Sequence, residues 1–162
     1  MPAGFRGGFY AGLALALCIG LFLIWLWRPE RQVRRHTENF FYAIEHKNWA
    51  GTTNFIGSDY RDQWGNDRAR VLERMHEGFR YVRGIRVSAF SVTVRVERRR
   101  AEWKGRIWID GAESETMESL KERVNSLATP FELEWHHVSA KPWDWKLAHV
   151  SNSTLEIPAD FD

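Results

Sequence analysis

From Phe9 to Trp27 the chain runs 19 residues without a charged side chain, and every acidic residue lies beyond that stretch. At about 1.5 Å of rise per residue a helix over it is roughly 28 Å long, close to the roughly 30 Å hydrocarbon thickness of a bilayer. The run reads as one transmembrane helix, 9–27, preceded by a short tail, 1–8, and followed by one folded domain, 28–162. Phe9 and Tyr10 at one end and Trp25 and Trp27 at the other place aromatic rings at the level of the headgroups. A cleaved secretory signal would need a small-x-small site, and none follows before Arg28-Pro29. Leu17-Cys18 lacks the small residue that a lipoprotein signal carries ahead of its cysteine.

Charge around the run sets the expected surroundings. Arg28, Arg31, Arg34 and Arg35 follow it, against Arg6 and the amino terminus before it, a bias that favours a cytoplasmic domain. A very short amino-terminal tail often stays inside as well, so the side of the membrane stays open, with the bacterial inner membrane as the expected location. The same four arginines stand where anionic headgroups would be met. Gly12, Ala16 and Gly20, four residues apart, offer a face on which another integral membrane helix can pack closely, although small residues are also common in any membrane helix.

The rest of the composition removes function classes. Lysine and arginine number 23 against 21 acids, a net charge of +2, so no nucleic-acid partner is expected. The single cysteine, Cys18, forbids an internal disulfide and a cysteine metal site. His136 and His137 are adjacent on an alternating segment and point to opposite faces, and no H-E-x-x-H spacing, phosphate loop or nucleophile motif is present. No metal, cofactor or catalytic residue is assigned.

After Pro29, Val33, Thr37, Phe40, Phe41 and Ile44 recur at helical spacing. Asn48 is placed to cap a short helix that Gly57-Ser58 ends, and Asn66 or Asp67 opens another whose apolar face runs from Val71 to Val82, with Gly84 as its stop. The period then becomes two: Ile85, Val87 and Ala89 have one parity, and Phe90, Val92, Val94 and Val96 the other, so a bulge is expected near Ala89-Phe90. Arg98, Arg99 and Arg100 mark a hairpin tip leading to a strand with Trp103, Ile107 and Ile109 on one face and Trp108 on the other. A helix from Ser114 through Leu127 ends before Pro130, and two strands follow, Phe131 to His137 and Trp143 to His149.

Helices first, then a long curved hairpin, then a last antiparallel pair is an order that resembles the cone-shaped superfamily of nuclear transport factor 2, the ketosteroid isomerases and the polyketide cyclases. The residues that carry the likeness are the helix ending Phe40-Phe41-Tyr42-Ala43-Ile44-Glu45-His46-Lys47-Asn48-Trp49 and the closing Trp145-Lys146-Leu147. It covers roughly residues 30–151, with the 114–127 helix as an insertion. The resemblance implies an α+β fold, a cone of helices on a curved antiparallel sheet behind a single transmembrane helix, and a cavity that different members use for catalysis, ligand binding or partner contact.

In the isomerases that the chain resembles, a tyrosine on the first helix donates to an oxyanion and a carboxylate follows the second helix. Here Phe40 falls at the first position and Gln63 at the second, so both groups are missing unless Tyr42, Asp59 or Asp62 replaces them. Tyr42, Tyr60, Asp62, Trp64, Trp103, Trp135 and Trp145 are the residues expected to line a cone cavity, and the tryptophans equally suit a filled core. Two functions follow as expectations: a non-enzymatic accessory or assembly subunit of a membrane protein complex, or a membrane-tethered ligand binder or isomerase-like enzyme. The layout is similar to an inner-membrane subunit of type IV secretion machines, from which the short tail departs. The bilayer and other integral membrane proteins are the expected partners, with homodimerisation through the sheet left open.

Overall fold

The structure, a computed structural model, describes residues 4–26, 28–80, 82, 84–111 and 115–156, and the side chains of these except 4–9, 11, 23–26, 115–117 and 120. Helix α1 spans Gly4–Leu26 and α2 spans Pro29–Glu45. Between them Arg28 is extended at ψ 127°, as a residue before proline must be, so the two helices are separate segments with Pro29 opening the second. Among the described residues no helix is long and apolar enough to cross a membrane. The side chains described in α1 are Tyr10 and residues 12–22, and Leu13, Leu15, Leu17, Ile19, Leu21 and Phe22 among them are exposed. The interface anchors expected at Phe9, Trp25 and Trp27 lie outside the described side chains.

Helix α2 forms as its spacing predicts and buries Val33, Thr37, Phe40, Phe41, Ala43 and Ile44 along one stripe. Asn48 caps α3, Trp49–Phe55, by accepting from the Gly51 N–H at 2.9 Å, and Asp67 caps α4, Arg68–Gly78, through the Arg70 N–H at 2.9 Å. Helix α4 stops six residues short of the glycine expected to end it. Phe79 closes it, and the chain turns so that Val82 and Ile85 enter the core, which a continuing helix would not allow.

Strands β1, Arg86–Glu97, and β2, Arg100–Asp110, form the long hairpin, with Arg98 in the left-handed region at the tip. The expected bulge is present one step on: between the pairs Phe90–Arg106 and Thr93–Lys104, two residues, Ser91 and Val92, oppose one, Gly105, and Ser91 takes φ 54°. The extra residue reverses parity, so Val87 and Ala89 before it and Val92, Val94 and Val96 after it all pack on the core, while Phe90 turns outward. Phe90 was expected to share the face of Val92; the bulge falls after it and separates them.

Helix α5 spans Glu115–Ser126 and lies on the half of β2 that no third strand covers. Asn125 holds it there as a stand-in strand: its Nδ2 donates to the Ile109 carbonyl and its Oδ1 accepts from the Ile109 N–H, both at 2.8 Å. Strands β3, Phe131–His137, and β4, Trp145–Ser151, complete a four-stranded antiparallel sheet in the order β1-β2-β3-β4. Trp143 was expected on the last strand but stands in the turn before it, 60% exposed. Helix α2 crosses the concave side of the sheet, and the core lies between them.

Candidate functional site

The place where a cone fold can hold a ligand is the space between α2 and the concave sheet, and here aromatic rings occupy it. Trp135 is 0% and Trp103 2% exposed, and Trp145 is buried beside them. Phe40 packs edge-on against Trp135 at 6.0 Å between ring centres, and Phe41 against Trp103 at 5.8 Å. Gly105 makes room for this arrangement. A Cβ there would lie 2.7 Å from Cη2 of Trp103, so the indole extends along β2 over a residue that must have no side chain.

A titratable side chain also reaches this interior. His36, one turn before Phe40, sits edge-on to Phe55 at 4.7 Å and to Trp135 at 5.1 Å. Its Nε2 and the Nε1 of Trp135 are both buried without a hydrogen-bond partner. Burial pushes the imidazole down to about 4; the Trp145 backbone and Asp144 pull it up more weakly, and Lys146 pushes it further down. His36 is therefore a neutral ring at pH 7. Its spacing from Val33 and Phe40 puts it beside the apolar stripe of α2, a signal legible in the sequence.

The residues proposed as replacements for an isomerase pair are not brought together. Tyr42 is 60% exposed on α2, stacked on His46 at 3.8 Å and facing the groove between α2 and β1. Asp59 is exposed and meets His136 at 3.2 Å on the far face of the sheet. Asp62 is buried but committed: Oδ1 accepts from the Trp64 N–H at 3.0 Å and the Asn66 N–H at 2.8 Å, and Oδ2 accepts from Asn66 Nδ2 at 2.8 Å. Burial and this carboxylate together push the Tyr60 hydroxyl up, so Tyr60 is a poor proton donor in exchange. Tyr60, Asp62 and Trp64 thus build a closed turn, with Trp64 Nε1 donating to the Leu155 carbonyl at 3.0 Å.

Gln63, at the expected base position, faces the chain after β4. Its Nε2 donates to the Asn152 carbonyl at 2.7 Å and its Oε1 accepts from the Asn152 N–H at 2.9 Å. Asn152 in turn donates to the Thr129 carbonyl at 3.1 Å and accepts from the Leu155 N–H at 2.9 Å. This clamp joins three loops. Adjacent amides separated by 89 residues leave no local pattern, so sequence reasoning missed it.

The opposite face of the sheet is laced with charge. Lys104 lies 2.8 Å from Glu132 and 3.0 Å from Glu102, and these hydrogen bonds hold its ammonium above the ordinary lysine range. His136 bonds Glu134 at 2.9 Å, on the face away from His137, whose ring packs on Trp145. Among the described residues no three metal-ligating side chains are grouped. Of the arginines following the uncharged run, Arg34 donates to the Val92 carbonyl at 3.1 Å, and Arg28 and Arg35 are exposed. Arg31 is exposed near Arg34 and Glu38 in an open groove. A Cβ at Gly12 or Gly20 would meet nothing within 4 Å, and Ala16 is exposed.

No protein-family model and no curated protein sequence matches the chain. Solved structures do match it. An NTF2-like protein of unknown function from Pseudomonas putida KT2440 aligns over 76% of this chain and 84% of its own at a TM-score of 0.57 and 11% identity. The fold is NTF2-like. An NTF2-like protein from Cytophaga hutchinsonii gives a TM-score of 0.54 at 13% identity, over 76% of this chain and 95% of its own. Bd1075 of Bdellovibrio bacteriovorus gives 0.59 at 9% identity over 76% of this chain, which spans only 40% of that protein's length. At these identities the likeness extends to the fold alone.

Proposed function

We propose that the chain is a membrane-anchored NTF2-like accessory or assembly subunit of a membrane protein complex, non-enzymatic in itself. The observation that carries the non-enzymatic part is the interior: Trp103, Trp135 and Trp145 stand in the space that a substrate would need, and Asp62, the one buried acid among the described residues, has its oxygens engaged. The anchor rests on the uncharged run of residues 9–27 and is supported by the exposed apolar side chains of α1, which in water would cost about 25 cal/mol for each Å² left uncovered. Arg28, Arg31, Arg34 and Arg35 then lie at the bilayer surface, and Gly12, Ala16 and Gly20 offer a face to a neighbouring helix.

The test is mild-detergent purification of the full chain from its own membrane, followed by mass spectrometry of what stays attached. The expected result is a stoichiometric set of membrane proteins, weakened by Ala16→Leu, which places a larger side chain on the small-residue face. A lone protein carrying a small molecule would overturn the reading in favour of a ligand binder, and recovery of the chain in the soluble fraction would overturn the anchor.

A further inference from the structure

The two edges of the sheet are finished differently. Along β4 the loop of residues 56–63 seals the edge with backbone hydrogen bonds: Gly57 N–H to the Leu147 carbonyl at 2.9 Å, Arg61 N–H to Ala148 at 3.0 Å, and Gln63 N–H to Val150 at 3.1 Å. Along β1, the other edge, no backbone pairs on the outer side among the described residues. Two side chains of α2 cap it instead. Glu45 Oε1 accepts from the Val87 N–H at 2.5 Å, and Arg34 donates to the Val92 carbonyl at 3.1 Å.

These caps identify which backbone groups face outward. Antiparallel strands present alternate residues to each side, so with Val87 outward Ala89 is outward too, and past the bulge Val92, Val94 and Val96. An edge strand of 12 residues whose outward peptide groups make no backbone pair among the described residues is a template for another strand. Beside it runs a groove of about 420 Å³ between α2 and β1, walled by Phe41, Tyr42 and Glu45 on the helix and floored by Ala89, Val92 and Trp103. A second groove of about 510 Å³ continues from Arg34 to Arg35 and Val94. An open strand edge lying against a helix-walled groove is the arrangement by which extended peptides are held: backbone bonds supply affinity, and the groove takes alternate side chains.

We propose that this edge and groove bind an extended segment of a partner protein, which adds to β1 as a fifth strand. Alternate apolar side chains of that segment enter the groove beside Phe41 and Tyr42, and an acidic side chain meets Arg34 and Arg35. A second copy of this chain fits less well. Its own Val87, Ala89, Val92, Val94 and Val96 are packed on its own core, so pairing two β1 edges would bring no side chain into either groove. Glu45 and Arg34 yield their two backbone caps to the incoming strand, as solvated side chains can. The proposal rests on the accessory-subunit reading, since it names the site where such a subunit would grip its partner.

The test selects random nine-residue peptides displayed on phage against the purified full chain in mild detergent, then measures the enriched peptides against Val94→Pro and Val94→Lys. Proline at Val94 removes only an outward N–H, leaving the ladder to β2 intact. Lysine there keeps the backbone and puts a charge in the groove, so it carries the test if the proline variant fails to fold. Expected are peptides with alternating apolar residues and an acid at one end, whose affinity falls about tenfold or more in either folded variant, the loss of one or two hydrogen bonds. Their binding should protect the Ala89 amide from hydrogen exchange. No enrichment, enriched peptides indifferent to both variants, or self-association of the chain that both variants abolish would each overturn the proposal. Failure of the accessory reading shows separately, as wild type that recovers no membrane proteins; wild type and Val94→Lys recovering the same complex would overturn the groove alone.

Discussion

The buried histidine ties the stability of the cone to pH in a way that can be worked out in advance. His36 titrates at 6.5 when exposed and at about 4 inside the fold. Between those values the unfolded chain holds a proton on this ring that the folded chain does not, so stability falls as pH falls from 6.5 to 4, and the group has no effect above 6.5. At 1.36 kcal/mol per pH unit the full gap is about 3 kcal/mol, and partial exposure of the ring screens this to about 2. Other histidines and carboxylates also titrate in this window, so the quantity to measure is a difference. His36→Phe keeps an aromatic ring against Phe55 and Trp135 and removes the titration. Urea unfolding followed by tryptophan emission, at pH 7.5, 6.5, 5.5 and 4.5, should show the variant gaining about 2 kcal/mol on wild type across the series. Nearly all of that gain should come below pH 6.5. Parallel curves for the two proteins would refute the assignment of His36 as a neutral, desolvated ring.

Other perturbations probe the remaining contacts. Gly105→Val should cost about 1–3 kcal/mol in urea unfolding, because its Cβ meets Trp103 Cη2 at 2.7 Å; a redshifted indole emission would report the displaced ring. Asp62→Asn puts an amide nitrogen where Oδ2 now accepts from Asn66, so a loss of about 1–3 kcal/mol is expected by the same assay, and unchanged stability would mean that the carboxylate is free for another use. Asn125→Ala should cost about 1–3 kcal/mol and expose the Ile109 amide to hydrogen exchange, since both peptide groups of Ile109 lose their partner.

Much of the fold was readable because most elements report on themselves locally. Proline after Arg28, Asn48 and Asp67 at helix starts, the apolar stripe of α2 and the parity change in β1 all act within a few residues of where they stand. The errors lie where a distant partner decides. Helix α4 ends early because Val82 and Ile85 are wanted in the core, and Trp143 leaves β4 because the register with β3 begins at Trp145, opposite His137. The candidate site was less legible. Of the seven residues expected at a cavity, the structure buries Trp103, Trp135 and Trp145 as its filling, commits Tyr60, Asp62 and Trp64 to a turn, and leaves Tyr42 exposed at the groove beside β1.

What the chain alone determined is its division into an uncharged segment and a charged α+β domain, and the order of helices and strands within it, because hydropathy period and capping are properties of neighbouring residues. What only the tertiary structure decided is what each side chain is for. Whether Trp103, Trp135 and Trp145 line a cavity or fill one depends on how far α2 stands from the sheet. The two caps on β1, Glu45 on Val87 and Arg34 on Val92, join residues 42 and 58 positions apart, and no local pattern encodes which edge of a sheet is left open.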